Sequence, residues 1–170
     1  MVHHGQQTAL DFRDKVVAKA HVNDRAAIAS DKGKKLVAAL WDFGENLVLG
    51  AIPETITGLT VIAPYALAVY RGWIGGIVSV DSRHQSRLHK TRSGVYYVLT
   101  LLLQLIPYSL AGGVGVKLGL SYFRADPAYK DSNKILGYPV EGFKDVIRVY
   151  ALVVPLFLIA SLWEFLSSWN

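Results

Sequence analysis

The chain has no cysteine in its 170 residues. A disulfide, a Cys-ligated zinc and a cysteine nucleophile are excluded, and the redox compartment stays open. Charge is scarce too: 18% of residues are Asp, Glu, Lys or Arg and 52% are hydrophobic, with a mean hydropathy of +0.29. That is too apolar for an ordinary soluble domain. HExxH, GxSxG and a pair of aspartates within an apolar run are all missing, which removes the familiar hydrolase and protease constellations. The stretch AGGVGVKLG is not a phosphate loop, because a Walker lysine precedes Ser or Thr and Lys117 precedes Leu118. His84 and His89 beside Asp81 are poorly spaced for a metal, and solvated histidines are the default. Residues 1–45 show no apolar core followed by a small-residue cleavage site, so insertion is expected to rely on internal spans. Neither a fixed-period repeat nor a low-complexity linker divides the chain. The expectation is a protein that is not an enzyme and carries no cofactor or metal.

What is present is a set of long apolar runs. Ser93 to Tyr122 carries a single charge, Lys117. At about 1.5 Å per residue a helix of that length crosses a bilayer core of about 30 Å. Within it Ala111, Gly115 and Gly119 fall four apart, with Gly112 and Gly113 beside them. Small residues at that spacing let helix backbones approach closely in lipid. From Asn46 to Val80 a second apolar stretch is interrupted by Pro53, Gly58, Pro64 and Gly72, and is divided into spans of roughly 38–57 and 59–80. A last span, about 144–163, contains Pro155 and ends near Trp163, Phe165 and Trp169, aromatics suited to a headgroup interface. The expected fold is an all-α membrane protein with about four transmembrane helices, some broken by Pro or Gly, and an N-terminal amphipathic helix. Residues 1–37 form a cytoplasmic segment and 38–170 the helical transmembrane domain.

The order of these blocks resembles that of the stage II sporulation protein M family of multi-span membrane proteins. AGGVGVKLG is similar to its glycine signature; Asn46 to Val80, with GWIGG (Gly72, Gly75 and Gly76) near its end, and VIRVYALVVPLFLIASLWEF agree in order and spacing, so the resemblance covers about residues 44–168. The family's upstream His-Gly and Glu are replaced here by Thr100, Leu101 and Gln104. The resemblance implies a non-catalytic partner of other envelope proteins.

The N-terminal segment carries an amphipathic pattern from Thr8 to Val22, with Leu10, Phe12, Val16, Val17 and Ala20 in one arc. Asn23-Asp24 and Ser30-Asp31 read as helix starts, and Asp126-Pro127, Asn133, Gly137 and Tyr138-Pro139 as turn signals in the loop before the last span. Seven Lys/Arg before Asp42 and four in 81–92 make eleven on one side of a four-span topology, against four from Phe123 to Lys144. Positive-inside bias puts both termini in the cytoplasm of a cell whose inner membrane holds the protein. Because the basic residues border apolar runs, topology explains the net charge of +5 better than nucleic acid does.

The expected helix-packing residues are Ala111, Gly112, Gly115, Gly119, Gly72 and Gly76; the intramembrane polar residues are Glu54, Arg71, Gln104 and Lys117. Groups of this kind are costly in lipid and face a bundle or cavity, and depth suggests Glu54 pairs with Lys117, with Arg71 competing. Two functions are open: a scaffold or accessory subunit docking through a glycine face onto other integral membrane proteins, with lipids or a second copy as further partners, or a transporter with a midplane site shaped by Pro53, Pro64 and Pro107.

Overall fold

A computed structural model describes residues 2–123, 127–130 and 132–169, and the side chains of Ala20, His21 and Asn23 are outside that description. The expected role of Ala20 in the amphipathic arc and of Asp126 in a turn therefore falls outside the described residues. Seven α-helices are present among them: α1 Gln7–Asn23, α2 Arg25–Asp31, α3 Lys35–Glu45, α4 Ile52–Gly58, α5 Ala63–Val78, α6 Thr91–Phe123 and α7 Val140–Leu166. A π-helical segment, Asn46–Ala51, joins α3 to α4, and strands β1 Lys134–Ile135 and β2 Tyr138–Pro139 pair as a short antiparallel hairpin.

Three helical stretches are long and apolar enough to cross a membrane: Lys35–Gly58, Thr91–Phe123 and Val140–Leu166, of 24, 33 and 27 residues. A shorter element, α5, occupies the place of the fourth expected span, 59–80. Residues 59–62 form a turn with Val61 at φ +68°, so α5 keeps 16 residues, about 24 Å, short of a bilayer core of about 30 Å. The Thr60 hydroxyl accepts the Ala63 N–H at 3.2 Å and opens α5.

The expected Pro breaks are also corrected. Pro107 and Pro155 lie inside α6 and α7, which run on through them. Pro53 stands in the first turn of α4, just after the π-helical segment, where Ile52 N–H reaches back to the Leu47 carbonyl. A proline ring crowds the carbonyl four residues back, and a wider π turn relieves that crowding without ending the helix.

Asp24 caps α2, accepting the N–H groups of Ala26 and Ala27 at 2.8 and 3.0 Å. Ser30-Asp31, expected to open a helix, instead ends this one. Gly33 at φ +73° donates to Ser30 O while Lys34 donates to Ala29 O, a Schellman closure. In the hairpin, Leu136 and Gly137 both have positive φ, the backbone of a two-residue primed turn.

The chain divides into two compact units. The first comprises residues 1–43, 70–103 and 158–170, and the second 44–69 and 104–157. In the first, Leu10, Ala38, Ala39, Ile77, Val80 and Ala160 are buried. In the second, Ala51, Ala111, Val114, Leu118, Val153 and Phe157 are buried, and Tyr108 meets Phe157 edge-on with centroids 4.7 Å apart. Many large apolar side chains remain exposed on the span-length helices, among them Leu49, Ile56, Leu102, Leu120, Ile147 and Leu152. Lipid contact accounts for such a surface where water would not, and the chain is accordingly a membrane protein.

Candidate functional site

The second unit is organised on a seam between α4 and α6. A Cβ placed on Gly115 would lie 2.9 Å from the Thr55 Cα, and one on Gly119 would lie 2.6 Å from the Leu59 carbonyl oxygen. From the other side, a Cβ on Gly58 would meet the Gly115 backbone at 2.7 Å. The two backbones are thus in direct contact, with Ala111 fully buried beside them. Gly112 faces Pro64 and the Glu54 side chain, where a Cβ would lie 3.3 and 3.4 Å away. Gly72 and Gly76 of α5 are arranged differently: both are exposed, and a Cβ at either meets nothing within 4 Å.

Polar groups cross this seam. The Thr55 hydroxyl donates to the Ala111 carbonyl at 2.9 Å and lies 2.8 Å from the Tyr150 hydroxyl. Glu54 is 3% exposed. At the π-helical segment, the Tyr108 hydroxyl donates to Asn46 Oδ1 at 2.5 Å, and Gly50 leaves room for the Tyr108 ring, 2.5 Å from where its Cβ would be. Arg71 and Gln104 are half-buried, and neither lacks a partner.

Lys117 does not go to Glu54. Its ammonium donates to Asp145 Oδ2 at 2.7 Å, the same oxygen that accepts the Tyr129 hydroxyl at 2.7 Å, while Arg148 donates to Oδ1 at 2.7 Å. Asp145 thereby gathers three donors from α6, α7 and the 3-10 turn Pro127–Tyr129. Burial, reinforced by the bond to Asp145, raises the Tyr129 phenol above its ordinary range. Asp145 was missed in the sequence because it falls at the edge of the expected last span, where a carboxylate draws no notice.

In the first unit α1 lies against the segment after α5. Arg13, 6% exposed, donates through Nε to the Val80 carbonyl at 3.2 Å and through a terminal nitrogen to Asp14 at 2.8 Å. Asp14 also meets His84 Nε2 at 3.0 Å, and His3 Nε2 meets the Ser79 hydroxyl at 2.8 Å. The Arg13 and His84 contacts hold the Asp14 carboxyl below its usual range. The Gln85 N–H does the same for Asp81. Phe12, placed on the apolar arc, is exposed but stacks on Trp73 at 5.1 Å. Tyr97 donates to the Gly75 carbonyl, Tyr96 to the Glu164 carbonyl at 2.7 Å, and the Trp163 indole to Thr100 Oγ1 at 3.0 Å.

Among the described residues no three His, Asp or Glu side chains converge where a metal ion could sit. Chemically, the arrangement supports close helix packing and polar bridging. No family model, curated protein or solved structure matches this chain.

Proposed function

We propose that the chain is a non-catalytic scaffold or accessory subunit of an integral membrane complex, similar in role to the stage II sporulation protein M family, and docks through a glycine-bearing helix face. The open face at Gly72 and Gly76 carries this reading: two small residues four apart, flanked by exposed Tyr70 and Trp73, with nothing within 4 Å of a Cβ at either glycine. A partner helix can approach such a face closely. Gly115 and Gly119 of α6 are filled by the chain's own backbone at Thr55 and Leu59, whereas both of these α5 glycines stay open to another integral membrane protein or a second copy.

In this reading α5 is the fourth crossing, its 16 residues extended by the apolar turn before it, and the protein is multi-pass in the cell's inner membrane with both termini cytoplasmic. Support comes from the first unit, where the N-terminal segment reaches Ser79 and Val80, and Arg92 donates to the Ser168 carbonyl at 2.7 Å. Both ends of the chain thus accompany the basic loop. Positive-inside bias assigns that group to the cytoplasm.

Photo-crosslinkers at Gly72 or Gly76 in native membranes, read by mass spectrometry, test the docking face. One discrete protein adduct at these sites, absent from exposed Val48, is the expected result. Lipid adducts alone at all three positions reject it. A purified protein that moves a solute across vesicles by itself supports the transporter instead.

A further inference from the structure

The loop between α5 and α6 is fixed by its own backbone. Arg87 N–H donates to the Ser79 carbonyl and Asp81 N–H to the Gln85 carbonyl, both at 2.9 Å, and Gly94 N–H in the first turn of α6 donates to Lys90 at 2.8 Å. Asp81 directs one carboxylate oxygen at the N–H groups of Arg83 and Gln85, 2.8 and 2.9 Å away, so its charge is met locally. This loop, the start of α6 and Trp169 border a cavity of about 650 Å³ whose lining includes Ser86, Arg87, His89, Lys90 and Ser93. Among the described residues neither Arg87 nor Lys90 has a carboxylate within ion-pair distance, and Asp81, which also lines the cavity, acts on Arg87 only at longer range. Trp169 forms one wall, 6.1 Å from the Trp163 ring, with the Arg92 guanidinium 5.9 Å from its face.

Two cations outside any close ion pair, serine hydroxyls and an aromatic wall suit a phosphate group that has an apolar neighbour. We propose that this cavity binds the phosphate headgroup of an anionic phospholipid. Two features select a lipid over free phosphate. The cavity adjoins the start of α6, which has the length and apolarity of a membrane span. Its wall is tryptophan, the side chain that settles where headgroup meets acyl chain. Basic pockets beside membrane helices recognise such headgroups by the same attraction. The inference rests on α6 and α7 lying in a bilayer and is independent of the accessory role.

Native mass spectrometry of the detergent-purified full chain tests it, with phosphatidylglycerol, phosphatidylcholine and inorganic phosphate as probes. Phosphatidylglycerol should be retained over phosphatidylcholine and should resist displacement by inorganic phosphate. Arg87→Gln with Lys90→Gln should lower its retention about tenfold or more, whereas Lys130→Gln with Lys134→Gln, an equal charge loss on exposed residues elsewhere, should leave it unchanged. Trp169→Ala keeps every charge and should also weaken retention, which keeps the test alive if the double variant misfolds. Equal loss in both charge-removing pairs, or equal retention of the two lipids, overturns the site. Displacement by inorganic phosphate reassigns the cavity to a soluble anion. Bilayer residence is read separately, by whether the chain leaves membranes only with detergent.

Discussion

In the second unit α4 and α6 touch backbone to backbone at Gly58, Gly115 and Gly119, whereas in the first unit long polar side chains reach across to carbonyls: Arg13 to Val80, Tyr96 to Glu164, Arg92 to Ser168. These are two answers to the problem that lipid supplies no hydrophobic drive between helices. Close packing gains dispersion and tolerates no added atom. Side-chain bridges tolerate small shifts but depend on donors, acceptors and charge. Steric changes should therefore break the second unit, and polar or pH changes should loosen the first.

Gly115→Leu should have the largest effect, because its side chain must enter the Thr55 backbone. Overpacking costs about 1–3 kcal/mol where neighbours can move, and a backbone yields less than a side chain, so loss of the monodisperse folded peak in size-exclusion chromatography is expected. Gly113→Leu, with nothing within 4 Å, should keep the wild-type profile; identical profiles for the two variants would mean the seam is not close-packed. Next comes Arg13→Ala. It leaves the Val80 carbonyl without its side-chain donor and should cost about 1–3 kcal/mol, read as faster hydrogen exchange through α1 while α6 keeps its protection. Thr55→Val removes the hydroxyl's bonds to the Ala111 carbonyl and the Tyr150 hydroxyl at nearly constant shape. Interhelical bonds in membranes average about 0.6 and reach about 1.7 kcal/mol, so a small drop in Tm is expected and an unchanged Tm would show these bonds contribute nothing.

The smallest effect is one of pH. Asp14 has a folded pKa below its ordinary 3.8, so its contribution is complete above that value and is lost as pH falls through the lower, folded one. Between pH 7 and 5 the contact of α1 with the loop should hold. Below about 4 it should weaken, seen as a change in Trp73 fluorescence as Phe12 moves away. Asp14→Asn should abolish that change, and its survival in the variant would assign it to another group.

The sequence showed the long helices because apolar length is a one-dimensional property, and α6 and α7 lie close to the runs that announced them. The four-residue spacing marked the glycine face of α6 but not what covers it, since Thr55 and Gly58 carry no pattern that points at a partner. Gly58 and Pro64 marked the division before α5 but not the helix's short length, because Val61 adopts a positive φ that a β-branched residue rarely takes. The burial of Arg13 is not legible, because an arginine on an amphipathic helix is assigned to water and the Val80 carbonyl that receives it lies 67 residues on. Lys117 was legible as a charge at depth, yet its partner Asp145 lies 28 residues on, a distance that pattern cannot bridge.

The π-helical segment at Asn46–Ala51 sets the phase of α4. An α-helix turns about 100° per residue, so the extra residue accommodated there rotates Ile52–Gly58 by about that angle from the face that α3 alone would extend. With that phase Thr55 and Gly58 point at α6. A one-residue deletion in 46–51 would leave composition and hydropathy almost untouched yet turn Thr55 away from Ala111, so in this stretch the spacing is inherited information as much as the residues are.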